Sequence, residues 1–142
     1  MYKDILLAVD LGHPDTQAAA VSAAVEYARA FGARLHVATV VPDFGMSIVG
    51  GFFPAGYEHK ALEQARESLH AFTAARIPEG IEVQHVVGHG TIYQEILRIA
   101  GELGVDLIVM ASHRPGLEDY LLGPNAARVV RHAATSVLVV RE

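Results

Sequence analysis

The chain has 142 residues, with 11 Lys plus Arg against 16 Asp plus Glu for a formal charge of −5, and 51% of its residues are hydrophobic. That length and composition suit one domain with a sizeable core and exclude a disordered chain. The acidic balance argues against binding to nucleic acid or an anionic membrane, and the absence of cysteine excludes disulfides, thiolate metal sites and cysteine nucleophiles.

Five segments read as strands and four as helices. Ile5, Leu6, Leu7, Ala8 and Val9 form an apolar run without polar alternation, as in a parallel strand covered on both faces, and Asp10 stands at its C-terminal end. Gly12, His13, Pro14 and Asp15 turn into a helix with Val21, Val25 and Ala28 in register, closed by Gly32. Residues 34–41 form a second strand, stopped by Pro42. Residues 43–56 hold Gly45, Gly50, Gly51, Pro54 and Gly56 among Phe44, Met46, Ile48, Val49, Phe52 and Phe53. A loop of this length in a compact domain is either a ligand cover or a segment packed on its own domain or a subunit contact, and both readings stay open.

Residues 57–76 read as a long helix with Leu62, Ala65, Leu69 and Phe72 at helical spacing. A third strand, 82–87, ends in Gly88-His89-Gly90, and Ile92, Ile96, Ile99 and Leu103 mark the next helix. After Gly104, the apolar run 107–110 is a fourth strand. It gives way at once to Ala111-Ser112-His113-Arg114-Pro115-Gly116. Gly123-Pro124-Asn125 opens the last helix, with Asn125 a suitable N-cap and Ala126, Val129, Val130 and Ala133 on one side. Val137, Leu138, Val139 and Val140 make a final strand, expected at a sheet edge.

Strict β-α alternation with mostly short connections predicts a single domain, residues 1–142, built on a parallel sheet with helices on both faces. In such a sheet ligands bind beyond the carboxyl ends of the strands. Asp10, Gly88-His89-Gly90 and Ser112-His113-Arg114 all follow strands and can line one cleft. A strand feeding a loop and then a helix N-terminus offers backbone N–H groups and a helix dipole to an anion, so a phosphate-bearing ligand is expected there.

Each feature also has a plainer reading. Asp10 can accept hydrogen bonds from a ligand, or hold Gly12 and His13 in their turn. Arg114 can pair with phosphates, or with Glu118 or Asp119. Pro124 donates no N–H and suits a first helical turn, while the Asn125 amide can supply a donor. His13, His85, His89 and His113 lack the i, i+4 helical pairing of a zinc site, so no metal site is expected. Ser112 beside His113 is not a nucleophile with its base, and no catalytic residue is expected. An apolar strand at an edge needs cover, from a symmetry mate or from its own chain. Residues 1–4 do not resemble a signal peptide and no apolar run approaches the roughly 20 residues of a membrane span, so a cytoplasmic location without membrane partners is expected.

The opening I-L-L-A-V-D, the segment V-D-L-I-V-M-A-S-H-R and the ending V-V-R-H-A-A-T-S-V-L-V-V-R resemble the universal stress proteins of the UspA type, over the whole chain. The resemblance implies a flavodoxin-like three-layer α/β sandwich with a five-stranded parallel sheet, of the adenine nucleotide alpha hydrolase-like kind. It further implies a regulatory role in the stress response, with ATP as the bound nucleotide, Mg2+ as its companion, and a homodimer joined through Val137, Leu138, Val139 and Val140. Nucleotide contacts are implied at Ala8, Asp10, Val41, Gly88, Ala111, Ser112, His113, Arg114, Gly123, Pro124 and Asn125. ATP-binding members carry Gly-x2-Gly-x9-Gly-(Ser/Thr) between the fourth strand and fourth helix. Here Ala111 and Arg114 replace the first two glycines, residues 115–122 make the second interval one shorter, and Pro124 replaces the final hydroxyl. Ala-Ser-His-Arg-Pro and Gly-x-Asn-Ala-Ala-x-Val-Val-Arg-His-Ala are similar to the branch labelled F and G, some members of which bind ATP without the full motif. A member that works through an unidentified protein partner without nucleotide, or that hydrolyses ATP slowly, are the alternatives.

Overall fold

The apolar run at residues 5–9 becomes the middle of a five-stranded parallel sheet in the computed structural model, which describes residues 1–42, 56–112 and 123–141. Strand β1 (Asp4–Ala8) lies between β2 (Arg34–Pro42) and β4 (Leu107–Ser112), with β3 (Val83–Gly90) beyond β2 and β5 (Ser136–Arg141) beyond β4. In the parallel register Leu6 sits between His36 and Ile108, and Ala8 between Ala38 and Met110. Both faces need cover, because Ile5, Leu6, Leu7, Leu35, Val37, Ile108 and Val109 are all fully buried.

Helices α1 (Ala18–Phe31) and α2 (Tyr57–Arg76) supply one layer, and α3 (Ile92–Leu103) and α4 (Pro124–His132) the other. Strand side chains alternate between two cores. Ile5, Leu7, Leu35, Val37 and Val109 meet Val21, Val25, Leu69 and Phe72 on one face; Leu6, Ala38, Ile108 and Met110 meet Ile96, Ile99, Ala126 and Val129 on the other. Gly32 and Gly104 close α1 and α3 in the left-handed conformation, at φ of 64° and 66°, each donating its N–H back into the helix. The result is the flavodoxin-like sandwich that the alternation and the resemblance imply, with β5 at a sheet edge.

Three local expectations are corrected. The third strand does not stop before Gly88 but runs through Gly90, with Val40, Val41 and Pro42 opposite Gly88, His89 and Gly90. Pro42 is tolerated because β1 ends opposite Ala38, so it borders β3 alone. Gly88 belongs inside the strand because α3 passes close to it: a Cβ there would lie 3.1 Å from Ile99 Cδ1 and 3.2 Å from Glu95 Oε1. Val130 does not join the inward face of α4 and is 46% exposed, since this short helix buries only the narrow stripe of Ala126 and Val129. Asn125 is not the N-cap; Gly123 is, and Pro124 takes the first helical position, where its fixed φ and missing N–H cost least.

At the amino edge of the sheet the polar groups satisfy one another. Asp106 accepts from the Lys3 and Asp4 amides, and Asp4 pairs with His36 Nε2 and Arg34 Nε, both at 3.0 Å. The hydrogen bond from His36, with the neighbouring Arg34 guanidinium, holds the Asp4 carboxyl below its usual range.

Candidate functional site

At the carboxyl edge the chain leaves β1 and β2 for helices on one face, and β3 and β4 for helices on the other. A sheet whose exits diverge in this way opens a crevice between β1 and β4. A cleft of about 630 Å³ lies there, walled by the ends of β1, β2 and β4, the first turns of α2 and α3, and the start of α4.

Asp10 is the only charged side chain among the described lining residues. Its Oδ1 accepts from the Gly12 N–H at 2.9 Å and its Oδ2 pairs with His13 Nδ1 at 3.0 Å. A Cβ on Gly12 would stand 3.2 Å from Asp10 Oδ1, so a glycine suits this close approach. Asp10 therefore does hold its turn, and it also faces the cleft; an ionised carboxylate has about four acceptor positions, so the two roles are compatible. Buried Gln17 fixes the turn from behind, accepting from the Asp10 N–H at 3.1 Å while its Nε2 donates to Thr16 Oγ1. Thr39, also buried, donates to the Val9 carbonyl and locks the ends of β1 and β2 together.

Across the cleft, α4 begins without a side-chain cap. Its own ladder starts with Ala127 donating to Gly123, so the Asn125 and Ala126 amides lie in the uncapped first turn. Both residues line the cleft. Two N–H groups at the positive end of a helix dipole, facing a carboxylate across an otherwise neutral cavity, suit a ligand with an anionic end and a hydroxyl-bearing end.

Of the residues implicated from sequence, Ala8, Asp10, Val41, Ala111, Gly123, Pro124 and Asn125 come together on this wall. Gly88 does not reach it and backs onto α3 instead. Ser112 ends β4 opposite Arg141, 2% exposed, and is not among the lining residues. His113 and Arg114, with Glu118 and Asp119, lie outside the described residues, as does most of the expected loop cover, 43–55.

The other histidines disperse. His85 stacks on His70 with ring centroids 3.7 Å apart and pairs with Thr73 Oγ1. Burial and the nearby His70 push its pKa down. His89 pairs with Glu58, and its N–H donates to Glu95, whose carboxyl the Arg98 hydrogen bonds hold below the usual range. A second groove of about 590 Å³ along α2 and β3 contains His70 and His85 but none of the residues implicated in nucleotide contact.

Sequence reasoning missed Gln17, Thr39, Gln64, Ser68, Ile92, Ile96 and Met110, all on the cleft wall. One signal for the α2 pair was available. The inward stripe of α2 changes from Leu69 and Phe72 to Ala61, Ala65 and Ser68 toward its N-terminus, which is how a helix looks where it stops covering core.

The chain matches the model of the Universal stress protein family over residues 1–141. It is 34% identical to universal stress protein G of Escherichia coli O157:H7 over 147 aligned positions, covering 99% of this chain and 100% of that one. Universal stress protein MJ0531 of Methanocaldococcus jannaschii is 30% identical, with 100% of this chain and 84% of that protein covered. Among solved structures, protein MJ0577 superposes with a TM-score of 0.74 at 26% identity, covering 100% of this chain and 97% of that one.

Proposed function

Because the chain belongs to the universal stress protein family, we propose that it is a regulatory protein whose state is set by an adenine nucleotide, ATP, held in the cleft at the carboxyl ends of β1, β2 and β4. The observation that carries this reading is the pairing of Asp10 with the uncapped start of α4 across one cavity. Asp10 accepts from the ribose hydroxyls, and backbone at Ala8 and Val41 borders the nucleoside. The amides at Gly123, Asn125 and Ala126 receive phosphate oxygens. Ala111 borders the same cleft, and phosphate contacts from Ser112, His113 and Arg114 belong to the proposal, with Arg114 adding charge where the glycine of the family motif is missing. Gly88 acts at a distance, by letting α3 pack closely. Mg2+ would ride on the phosphates, since Asp10 is the single carboxylate among the described lining residues. With no second carboxylate or dedicated base among those described residues, occupancy and not turnover is the proposed signal. The half-buried edge residues Val137, Leu138, Val139 and Val140 meet their symmetry mates in a cytoplasmic homodimer, and a protein partner in the stress response reads the occupied state.

A second reading draws on Pro124, whose missing N–H removes one donor from the first turn of α4, together with Ala111 and Arg114 in place of glycine. In that reading the protein works through its surfaces without nucleotide. Thermal denaturation with added ATP separates the two. Nucleotide at a hundredfold excess over Kd stabilises the folded state by about 2.7 kcal/mol and raises Tm by several degrees. No shift in the wild-type protein, with a shift in the double substitution Arg114→Gly, Pro124→Ser, would establish the second reading instead.

A further inference from the structure

Resting on the proposed nucleotide site, we infer that Gln64 is the residue that selects the adenine base. The strand ends cross the cleft in the order β4, β1, β2, so the uncapped start of α4, Asp10 and Val41 fall in sequence along it. A nucleotide with its phosphates at α4 and its ribose at Asp10 carries its base past the end of β2, under the first turns of α2.

The α2 wall is built for a flat group. Ala61 and Ala65, one turn apart, present no side chain beyond Cβ, whereas farther along the helix Leu69 and Phe72 fill the space between α2 and the sheet. Gln64, three residues after Ala61, flanks the two alanines on the helix surface and also lines the cleft. Buried Gln17 spends its carboxamide on Asp10 and Thr16, but Gln64 is exposed and has no hydrogen-bond partner among the described residues. A carboxamide places an acceptor beside a donor, matching the adjacent N6 amino group and N7 of adenine. Guanine presents two acceptors, O6 and N7, along the corresponding edge, so the same group meets it with one repulsive contact.

The test is titration calorimetry of nucleotide-free protein with ATP and with GTP, for the wild type, Gln64→Leu and Gln64→Arg. Gln64 is exposed and makes no hydrogen bond among the described residues, so both variants fold as the wild type does, which their unliganded melting confirms. The wild type prefers ATP by about tenfold or more, Gln64→Leu brings the two affinities close together, and Gln64→Arg, offering two donors to guanine O6 and N7, moves the preference toward GTP. A wild type that binds ATP with a preference unchanged in both variants overturns the assignment of Gln64 and leaves the proposed site standing. A wild type that binds neither nucleotide overturns both.

Discussion

Asp10→Ala is expected to weaken ATP binding by one to two orders of magnitude, because hydrogen bonds to a charged group contribute about 1.5–3 kcal/mol each and the carboxylate is the only charged side chain among the described residues facing the ligand. The substitution also releases the Gly12 amide and His13, which loosens the turn without emptying the core, since Asp10 is exposed. Asp10→Asn separates the two effects. Its amide oxygen keeps the Gly12 contact, while its NH2 group faces ligand hydroxyls with a donor in place of an acceptor. Calorimetric titration should show a large loss for both variants, with a smaller drop in unliganded Tm for Asp10→Asn. Wild-type affinity in Asp10→Ala would mean that Asp10 is a turn residue alone.

The largest expected change in stability is for Ile108→Ala, about 3 kcal/mol within the 2–5 kcal/mol range for truncating a large core side chain. Ile108 is 0% exposed and packs in the core that also contains Leu6, Ile99 and Val129. Its strand is held by β1 on one side and β5 on the other, so the backbone cannot close over the cavity left behind. Val130→Ala, at a position 46% exposed, should change stability by under about 0.5 kcal/mol. Urea denaturation of the two variants checks the pair. Equal, small losses would mean that α4 and the core beneath it are not packed as described.

The fold was legible because both-face burial writes itself into unbroken apolar runs such as residues 5–9 and 107–110, and helices that cover them alternate with them. Boundaries were harder. Strand 82–87 is expected to end at Gly88-His89-Gly90 because glycine weakens a strand, whereas here Gly88 makes room for Ile99 and Glu95 inside one. Asn125 has the chemistry of an N-cap, but the fixed φ of Pro124 moves the helix start two residues earlier. The site was half legible for a physical reason. Asp10 and Gly123 stand where strands and loops end, and such positions announce themselves. Gln17, Thr39 and Gln64 lie within a helix or strand and become part of the cleft only when β2 and β1 pair and α2 folds over them.

The most direct test of the nucleotide reading is the ultraviolet spectrum of freshly purified protein, taken with a mass spectrum of the supernatant after denaturation and no nucleotide added. With no tryptophan, 5 tyrosines and 5 phenylalanines, the chain absorbs weakly enough for a bound adenine to stand out. The account predicts an adenine nucleotide, chiefly ATP, released in near-stoichiometric amount. A protein-only spectrum and an empty supernatant, followed by no binding when ATP is supplied, would contradict it and leave the cleft without the ligand proposed for it.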